Sequence, residues 1–482
     1  MSQTKSAVWK KVNNNPYLFI NLVFAIFPIS FILGSLIVNL NFLLFCCLGI
    51  YYLKSKILTT KFDFILKIIF IFFFIIFFST LLTFLKSIYF DEYLSSNLTK
   101  LVKSLLFFRF FLFLIIVYLL SRSNILRFKY FFIIAVFSSL LLSLDIIYQH
   151  FFGVDIVGLK DDEFRSSGFF GDENVAGGYL LRFGFFVIFF SIFSLKNNKF
   201  TKFIFPVIVI SILGTGLLFS GNRMPLILFI FGFLVVFLLN LKINKILLLS
   251  LIVLSVLFKF IISSNDSYKT HLVNQYSSFI ESVENTFLTP FNINFFGGGE
   301  TQTWRMPERV DEEVSAARQK NVFYKDVKIR SSYLRFSLST LKTWKSNKIF
   351  GNGINSFYTD CHKLASDPNI RIEENQYPDK ENLLCSNHPH NYYFQILTTT
   401  GIAGLFITLL LACLFVFFVF KNLKFIKKND TANIILLSAI VSFFLEMFPI
   451  RSTGSFYTTN NITYIILIAS IILSYKDLSK IK

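Results

Sequence analysis

Apolar runs of about 20 residues recur along almost the whole chain, and a helix of that length crosses the hydrocarbon core of a bilayer. Only 16% of the residues are charged, whereas soluble proteins average about 25%. This pattern excludes a soluble globular enzyme and a disordered protein. The sequence therefore predicts an all-α polytopic membrane protein with about twelve spans, at 17–35, 36–53, 64–86, 101–121, 128–149, 174–195, 203–220, 224–241, 244–263, 391–420, 431–449 and 457–475.

The basic residues fall on one side of these spans. If the N-terminus lies in the cytoplasm, the cytoplasmic connections hold most of the excess that gives the net charge of +19. Basic cytoplasmic loops are the rule in membrane proteins, so the charge indicates topology and not nucleic acid as a partner. Both termini are predicted to be cytoplasmic, with basic groups at 5–11, 54–61, 122–129, 196–202, 242–245, 421–428 and 476–482.

One long hydrophilic segment, 264–390, lies between spans nine and ten on the outer side. Loops of that length are usually functional. The sequence therefore divides into an N-terminal membrane domain at 1–263, an outer loop domain at 264–390 and a C-terminal membrane domain at 391–482.

Two of the cysteines, Cys361 and Cys385, lie in this outer segment, where disulfides persist. If paired, they close a loop of about 25 residues, worth roughly 3–4 kcal/mol in the chain-entropy model. The alternative is a zinc site that also uses His362 and His388. We disfavour it because the spacing matches no standard pair of ligand motifs and a disulfide would consume both thiols.

Four polar stretches touch the membrane on the outer side, and these are where the chemistry is expected. They are Arg165–Asn174, the turn Ser220–Arg223, Gly351–Gly353 after a helix that carries Arg330 and Arg335, and His388–Asn391 leading into Gly401 and Gly404.

These stretches resemble the motifs of bacterial O-antigen ligases and the related polymerases. His390-Asn391 with Gly401 and Gly404 is similar to the family's His-Asn…Gly-x-x-Gly signature. The other matching segments are Arg165-x-x-Gly168…Asn174, Ser-Gly-Asn-Arg223, Ile349-Phe-Gly-Asn-Gly353 and Pro449-Ile-Arg-Ser-Thr-Gly-Ser455. The resemblance covers about residues 100–475, and Asp172-Glu173 departs from it where the family usually has Asn-Pro.

The resemblance implies a GT-C-like membrane glycosyltransferase in the bacterial inner membrane. It would transfer a glycan from undecaprenyl diphosphate to an acceptor hydroxyl at the periplasmic face, with no metal or other cofactor. The acceptor would be a lipid A–core sugar for a ligase and another repeat unit for a polymerase. The expected partners are therefore the lipid-linked donor, the acceptor glycan and membrane lipids.

Each candidate residue suits a step of that reaction. Arg165 and Arg223 are expected to hold the diphosphate, because the guanidinium fork is permanently charged. His390, at the start of span ten, is the expected general base, because a helix N-terminus favours neutral imidazole. Further substrate contacts are expected from Arg335, Arg182, Asn391 and Arg451, and Gly401 and Gly404 are expected to form a small face for close helix approach.

Two arginines, Arg109 and Arg182, lie inside spans. Ionisable groups at that depth are candidates for function. Asp145 and Glu446, near the outer ends of spans five and eleven, are their expected partners. A purely structural ion pair is the equal alternative.

Several functions remain open. We prefer a ligase because there is a single large outer loop and because of the Arg451 segment; a polymerase more often has two sizeable outer loops. A protein O-oligosaccharyltransferase shares the signature. A twelve-span secondary transporter is less favoured because the halves do not repeat, and an envelope scaffold would need none of these residues.

Overall fold

The computed structural model describes residues 16–90, 94–160, 165–194, 199–238, 244–264, 332–366, 384–423 and 431–478, with Thr270 and Ser277 between them. The regular secondary structure of these residues is helical, and among them only an isolated bridge between Val154 and Lys160 has β pairing. The helices are α1 Leu18–Ala25, α2 Phe27–Ile32, α3 Ser35–Leu53, α4 Lys56–Thr59, α5 Phe64–Phe90, α6 Leu94–Leu106, α7 Phe108–Arg122, α8 Phe128–Phe152, α9 Ala176–Ser194, α10 Lys199–Phe219, α11 Arg223–Leu238, α12 Asn244–Ser264, α13 Ser332–Lys345, α14 Ser356–Ser366, α15 Tyr392–Lys421, α16 Thr431–Glu446 and α17 Thr459–Leu478.

An apolar helix occurs at each predicted span. Seven helical stretches are long and apolar enough to cross a membrane, and five shorter apolar helices occupy the remaining positions. The all-α polytopic class is thus confirmed, while the count of twelve and the sidedness stay predictions. Most of segment 264–390, and basic groups such as 5–11, lie outside the described residues.

Aromatic side chains fill the interior of the bundle. Phe24, Phe27, Phe45 and Phe113 are each fully buried. Neighbouring rings meet at short range: the centroids of Phe24 and Phe45 are 5.3 Å apart and those of Phe27 and Phe113 are 5.5 Å apart. Close packing and dispersion are what hold helices together in lipid, where tails are as apolar as leucine.

The long helix α15 is interrupted at Gly401, which has φ +64° and ψ −159° inside the helix. The loop that joins α13 to α14 is inserted at this break. Its Asn352 N–H donates to Thr398 O at 2.9 Å, and Lys348 O accepts from Ile402 N–H at 2.9 Å. The loop therefore satisfies backbone groups that the break would leave unpaired, as an apolar surrounding requires.

This break corrects the prediction that Gly401 and Gly404 form a smooth face for helix approach. A Cβ on Gly401 would collide with the backbone of Ile349 and lie 2.7 Å from Gly351 N. At Gly404 a Cβ would meet Thr400 of the same helix. Glycine is needed at 401 because the chain turns there into the left-handed region, which side chains disfavour.

Candidate functional site

A cavity of about 730 Å³ lies at one end of the bundle. Residues of the first turns of α9, α11, α15 and α17 line it, and each helix N-terminus carries partial positive charge. Arg165, Arg182, Arg223 and Arg451 line the same cavity, and among the described lining residues Glu173 is the one carboxylate. The cavity is therefore cationic and suited to an anion.

Backbone hydrogen bonds hold the Arg165 segment against the bundle. The N–H of Ser166 donates to Phe219 O at 3.0 Å, at the last residue of α10. The N–H of Gly168 donates to Gln149 Oε1 at 2.7 Å. Gly168 has φ +55°, and a Cβ there would lie 2.8 Å from Asp145 Oδ2. The backbone conformation and the close approach of Asp145 thus require glycine at position 168. The bond from Ser166 to Phe219 places Arg165 next to the turn that follows α10.

That turn, Ser220–Arg223, is fixed by the side chain of Asn222. Asn222 Oδ1 accepts from Gly177 N–H at 2.9 Å, and Asn222 Nδ2 donates to Asn174 O at 3.1 Å. Both partners flank the start of α9. The turn therefore places Arg223, the first residue of α11, across from the first turns of α9.

A buried carboxylate joins two of the cavity arginines. Glu446 accepts from Arg182 at 3.0 Å (Nε) and 2.6 Å (Nη2), and from Arg451 Nη1 at 2.6 Å. The Tyr392 hydroxyl donates to the same carboxylate at 2.8 Å. Arg182 also donates to Asn461 Oδ1 at 2.7 Å. The predicted pairing of Arg182 with Glu446 is confirmed, and Arg451 is a second partner that spacing along the sequence does not indicate.

Asp145, the other carboxylate named as a partner for the two span arginines, pairs with neither Arg109 nor Arg182 among the described residues. Asp145 Oδ1 accepts from the backbone N–H of Ile156 at 3.0 Å, next to the Arg165 segment. The Arg109 guanidinium lies over the Phe110 ring, 4.8 Å from its centroid, on an exposed face of α7. The two side chains belong to different parts of the bundle, because α7 and α8 face different neighbours.

The segment between α16 and α17 is bonded to the start of α15. Asn391 is the N-cap of α15: its Oδ1 accepts from the N–H groups of Tyr393 and Phe394 at 2.9 and 3.2 Å. Asn391 Nδ2 donates to Pro449 O at 2.7 Å. This buried side chain is therefore used in capping and in holding the Arg451 segment, and a direct substrate contact for it stays a prediction.

His390 adjoins the cavity without being among its lining residues. Its carbonyl accepts from the N–H of Thr453, a lining residue, at 2.8 Å. Its backbone has φ +52°, a conformation that non-glycine residues rarely adopt. Its ring lies 4.6 Å from the Phe336 ring. Burial lowers the pKa of His390 below its usual range, so the neutral form is favoured, as predicted, with burial as the cause.

The neighbouring His388 is also held neutral. Burial, and then the proximity of His390, lower its pKa to about 4, against a partly opposing hydrogen bond to the Thr453 backbone. The two rings are 4.3 Å apart. Burial disfavours the charged form of both rings, and the proximity of His390 disfavours it further at His388, so the neutral form of both rings is favoured.

Arg335 is on α13 and is not among the residues that line the cavity. The same helix contacts the histidine segment through Phe336 and through Tyr333, whose ring is 5.6 Å from that of Phe394. Arg335 is thus near His390 along its helix and does not line the cavity. Its role in substrate binding stays a prediction.

Cys361 and Cys385 form a disulfide, with their Cα atoms 5.6 Å apart. The disulfide joins α14 to the irregular segment that leads to His388. Because both sulfurs are in the disulfide, neither is a thiolate that could ligate zinc. Within the described ranges, no three His, Cys, Asp or Glu side chains form a metal-binding group.

Sequence reasoning missed two contributors to the site, and it gave Asn222, within the predicted Ser220–Arg223 stretch, no role of its own. Tyr392 donates to the buried Glu446 carboxylate, and Asn461 accepts from Arg182. Asn222 fixes the turn before Arg223. For Tyr392 and Asn461 the signal was a polar residue at the first turn of an otherwise apolar helix, which costs free energy unless it has a partner.

Fold and site together define a polytopic α-helical membrane protein with an arginine-lined cavity where several helices begin. In a comparison with known families, the model described as O-antigen ligase matches residues 207–409. Over these residues the chain is similar to O-antigen ligases, and the resemblance drawn from its motifs is confirmed there. A search of curated proteins gives no match.

Proposed function

We propose that this protein transfers a glycan from undecaprenyl diphosphate to a hydroxyl of a lipid A–core sugar, at the periplasmic face of the bacterial inner membrane. One observation carries the proposal: Arg165, Arg182, Arg223 and Arg451, from four separate segments, line one cavity. The family match supports glycosyl transfer of the O-antigen ligase kind.

The cavity suits a diphosphate. Guanidinium groups donate paired hydrogen bonds to phosphate oxygens and keep their charge at any physiological pH. Four helix N-termini at the wall add partial positive charge. When the glycosidic bond to the diphosphate breaks, negative charge grows on the departing oxygen, and fixed cations stabilise it there.

A second, apolar cavity supports a lipid-linked donor. It measures about 440 Å³ and shares Ile32, Leu33 and Phe169 with the arginine-lined cavity. Its other lining residues include Phe137 on α8 and Val157 in the loop after α8, which are 60% and 70% exposed. A polyprenyl diphosphate needs this pairing of an apolar space open to lipid with a cationic space beside it.

His390 supplies the remaining step. A neutral imidazole accepts the proton of the acceptor hydroxyl as its oxygen forms the new bond to the anomeric carbon. The bond from that carbon to the diphosphate oxygen breaks, and the electron pair leaves with the lipid diphosphate. His390 is suited to this because it is neutral and lies beside the wall at Thr453.

Purified protein in lipid vesicles tests the proposal. Supplied with glycan on undecaprenyl diphosphate and with lipid A–core, it should form glycosylated core, and should do so in EDTA. Loss of activity in EDTA, restored by a divalent ion, would contradict a mechanism based on arginine alone.

The acceptor distinguishes the alternatives. A deletion strain of a ligase should accumulate polymer on the carrier lipid with none on the core. Core that carries a single repeat unit would instead indicate a polymerase, and glycosylation of an added protein would indicate an O-oligosaccharyltransferase. Donor movement across the vesicle without transfer would indicate a transporter.

A further inference from the structure

The carboxylate of Glu446 is saturated with donors in the interior of the bundle. Its side chain is fully buried, and four hydrogen bonds reach its two oxygens: two from Arg182, one from Arg451 and one from Tyr392. A carboxylate has about four acceptor positions. All of them are used, so the orientation of the group is fixed by three different segments.

This cluster leaves positive charge at the cavity wall. Two guanidinium groups share one carboxylate, and both belong to side chains that line the cavity. Within the parts of the chain that the structure describes, Arg182 Nη1 and Arg451 Nη2 make no hydrogen bond to protein. Arg182 thus uses its Nε and Nη2 for Glu446, and Arg451 uses its Nη1. Each arginine keeps N–H groups for a ligand.

The cluster also connects the arginines to the histidine segment. Tyr392 is two residues from His390 and begins α15. Arg182 is on α9, and Arg451 follows the end of α16. A shift of any one of these helices would therefore displace a donor that is hydrogen-bonded to the Glu446 carboxylate.

We propose that Glu446, oriented by Tyr392, is a positioning residue that holds Arg182 and Arg451 side by side as one diphosphate-binding pair. The proposal rests on the proposed function for its ligand. Stability alone is a weak reason for the cluster, because buried ion pairs are often no better than apolar residues of the same size. Preorganised donors, in contrast, bind an anion without first giving up conformational freedom.

Binding of inorganic pyrophosphate to the full-length purified protein tests this, by calorimetry. Glu446→Gln keeps the shape and removes a negative charge. If Glu446 only offset charge, the variant would bind pyrophosphate more tightly, since the cavity gains one net positive charge. If it positions the arginines, the variant binds roughly tenfold more weakly or worse despite the extra charge. Tighter or equal binding overturns the proposal, as does failure of the unchanged protein to bind pyrophosphate.

A second variant decides the matter if Glu446→Gln does not fold. Tyr392→Phe keeps every charge and removes one hydrogen bond to the carboxylate, and should weaken pyrophosphate binding about threefold. Tyr118→Phe is the matched control, because the Tyr118 hydroxyl donates to Asp63 Oδ2 at 2.7 Å outside the cavity. Equal affinity of Tyr392→Phe and Tyr118→Phe overturns the proposal.

The glycan-transfer assay is run on the same preparations. Absence of transfer together with the expected pyrophosphate affinities would overturn the proposed function and leave the role of Glu446 intact. If the protein transfers glycan and Glu446→Gln has the same donor KM as the unchanged protein, the role of Glu446 is overturned and the proposed function stays intact. A positioning role predicts a rise in KM for the donor and a smaller change in KM for the acceptor.

Discussion

The backbone N–H of Thr453 donates to the carbonyl oxygen of His390 at 2.8 Å. This bond joins the candidate base to the wall of the arginine-lined cavity, which includes Thr453. It links the segment before α15 with the segment before α17, about 60 residues further along the chain. The arrangement puts a proton acceptor beside the space where a diphosphate would bind.

The first prediction concerns the guanidinium fork. Arg223→Lys keeps the charge and loses the planar pair of donors, so kcat/KM for glycan transfer should fall roughly tenfold or more. Steady-state kinetics with varied donor measures this. The control is Arg109→Lys, an arginine that does not line the cavity, which should keep its activity. Equal effects of the two substitutions would remove the fork from the mechanism.

The second prediction concerns pH. A base works in its neutral form, and burial lowers the pKa of His390. Activity should therefore be full above the usual imidazole pKa of about 6.5 and persist as the pH falls below it, declining only through the lowered value. The pH dependence of kcat/KM measures this. A midpoint of this decline at or above pH 6.5 would contradict the prediction. His390→Ala should abolish turnover while donor binding remains.

The third prediction concerns the interruption of α15. Gly401→Ala should destabilise the protein strongly, because Gly401 has φ +64° and a Cβ would collide with the loop at Ile349. Gly153→Ala is the control: Gly153 has φ +75° but nothing within 4 Å of an added Cβ. It should cost only about 1–2 kcal/mol for the left-handed backbone. Comparable unfolding midpoints for the two variants would show that the inserted loop does not matter.

The fourth prediction concerns the disulfide. Cys361→Ser with Cys385→Ser opens a loop with a sequence separation of 24, which should cost roughly 3–4 kcal/mol in the chain-entropy model. Thermal unfolding with and without a reductant measures this. The double variant is its own control, because the reductant should not change its unfolding midpoint. If the double variant and the unchanged protein unfold at the same temperature, the disulfide does not stabilise the segment that holds it.

The fifth prediction concerns the apolar cavity. Leu141→Trp places a larger ring at its lining and should raise the KM for a donor with a long polyprenyl chain while sparing a donor with a short one. Leu144→Trp is the control, since Leu144 is also exposed on α8 but does not line the cavity. An equal change for long and short donors would exclude the cavity as a site for the lipid chain.

The sequence alone determined the class of fold and most of the site's arginines. Apolar runs of sufficient length dictate helices, because lipid offers the backbone no hydrogen-bond partners. Arg165, Arg223 and Arg451 stood out because each lies in a segment that resembles a motif of the O-antigen ligases. The cysteine pair was also predictable, from its place in the outer segment.

Only the tertiary structure decided which of these residues meet. Glu446 has two arginine partners, 264 and 5 residues away along the chain. The sequence indicated the pairing with Arg182, but it did not indicate that Arg451 converges on the same carboxylate. The break at Gly401 was likewise invisible, because its backbone groups are satisfied by a loop distant in sequence. Periodicity reports which face of a helix is apolar; which helices become neighbours depends on packing across the whole bundle, and that is where the cavity is made.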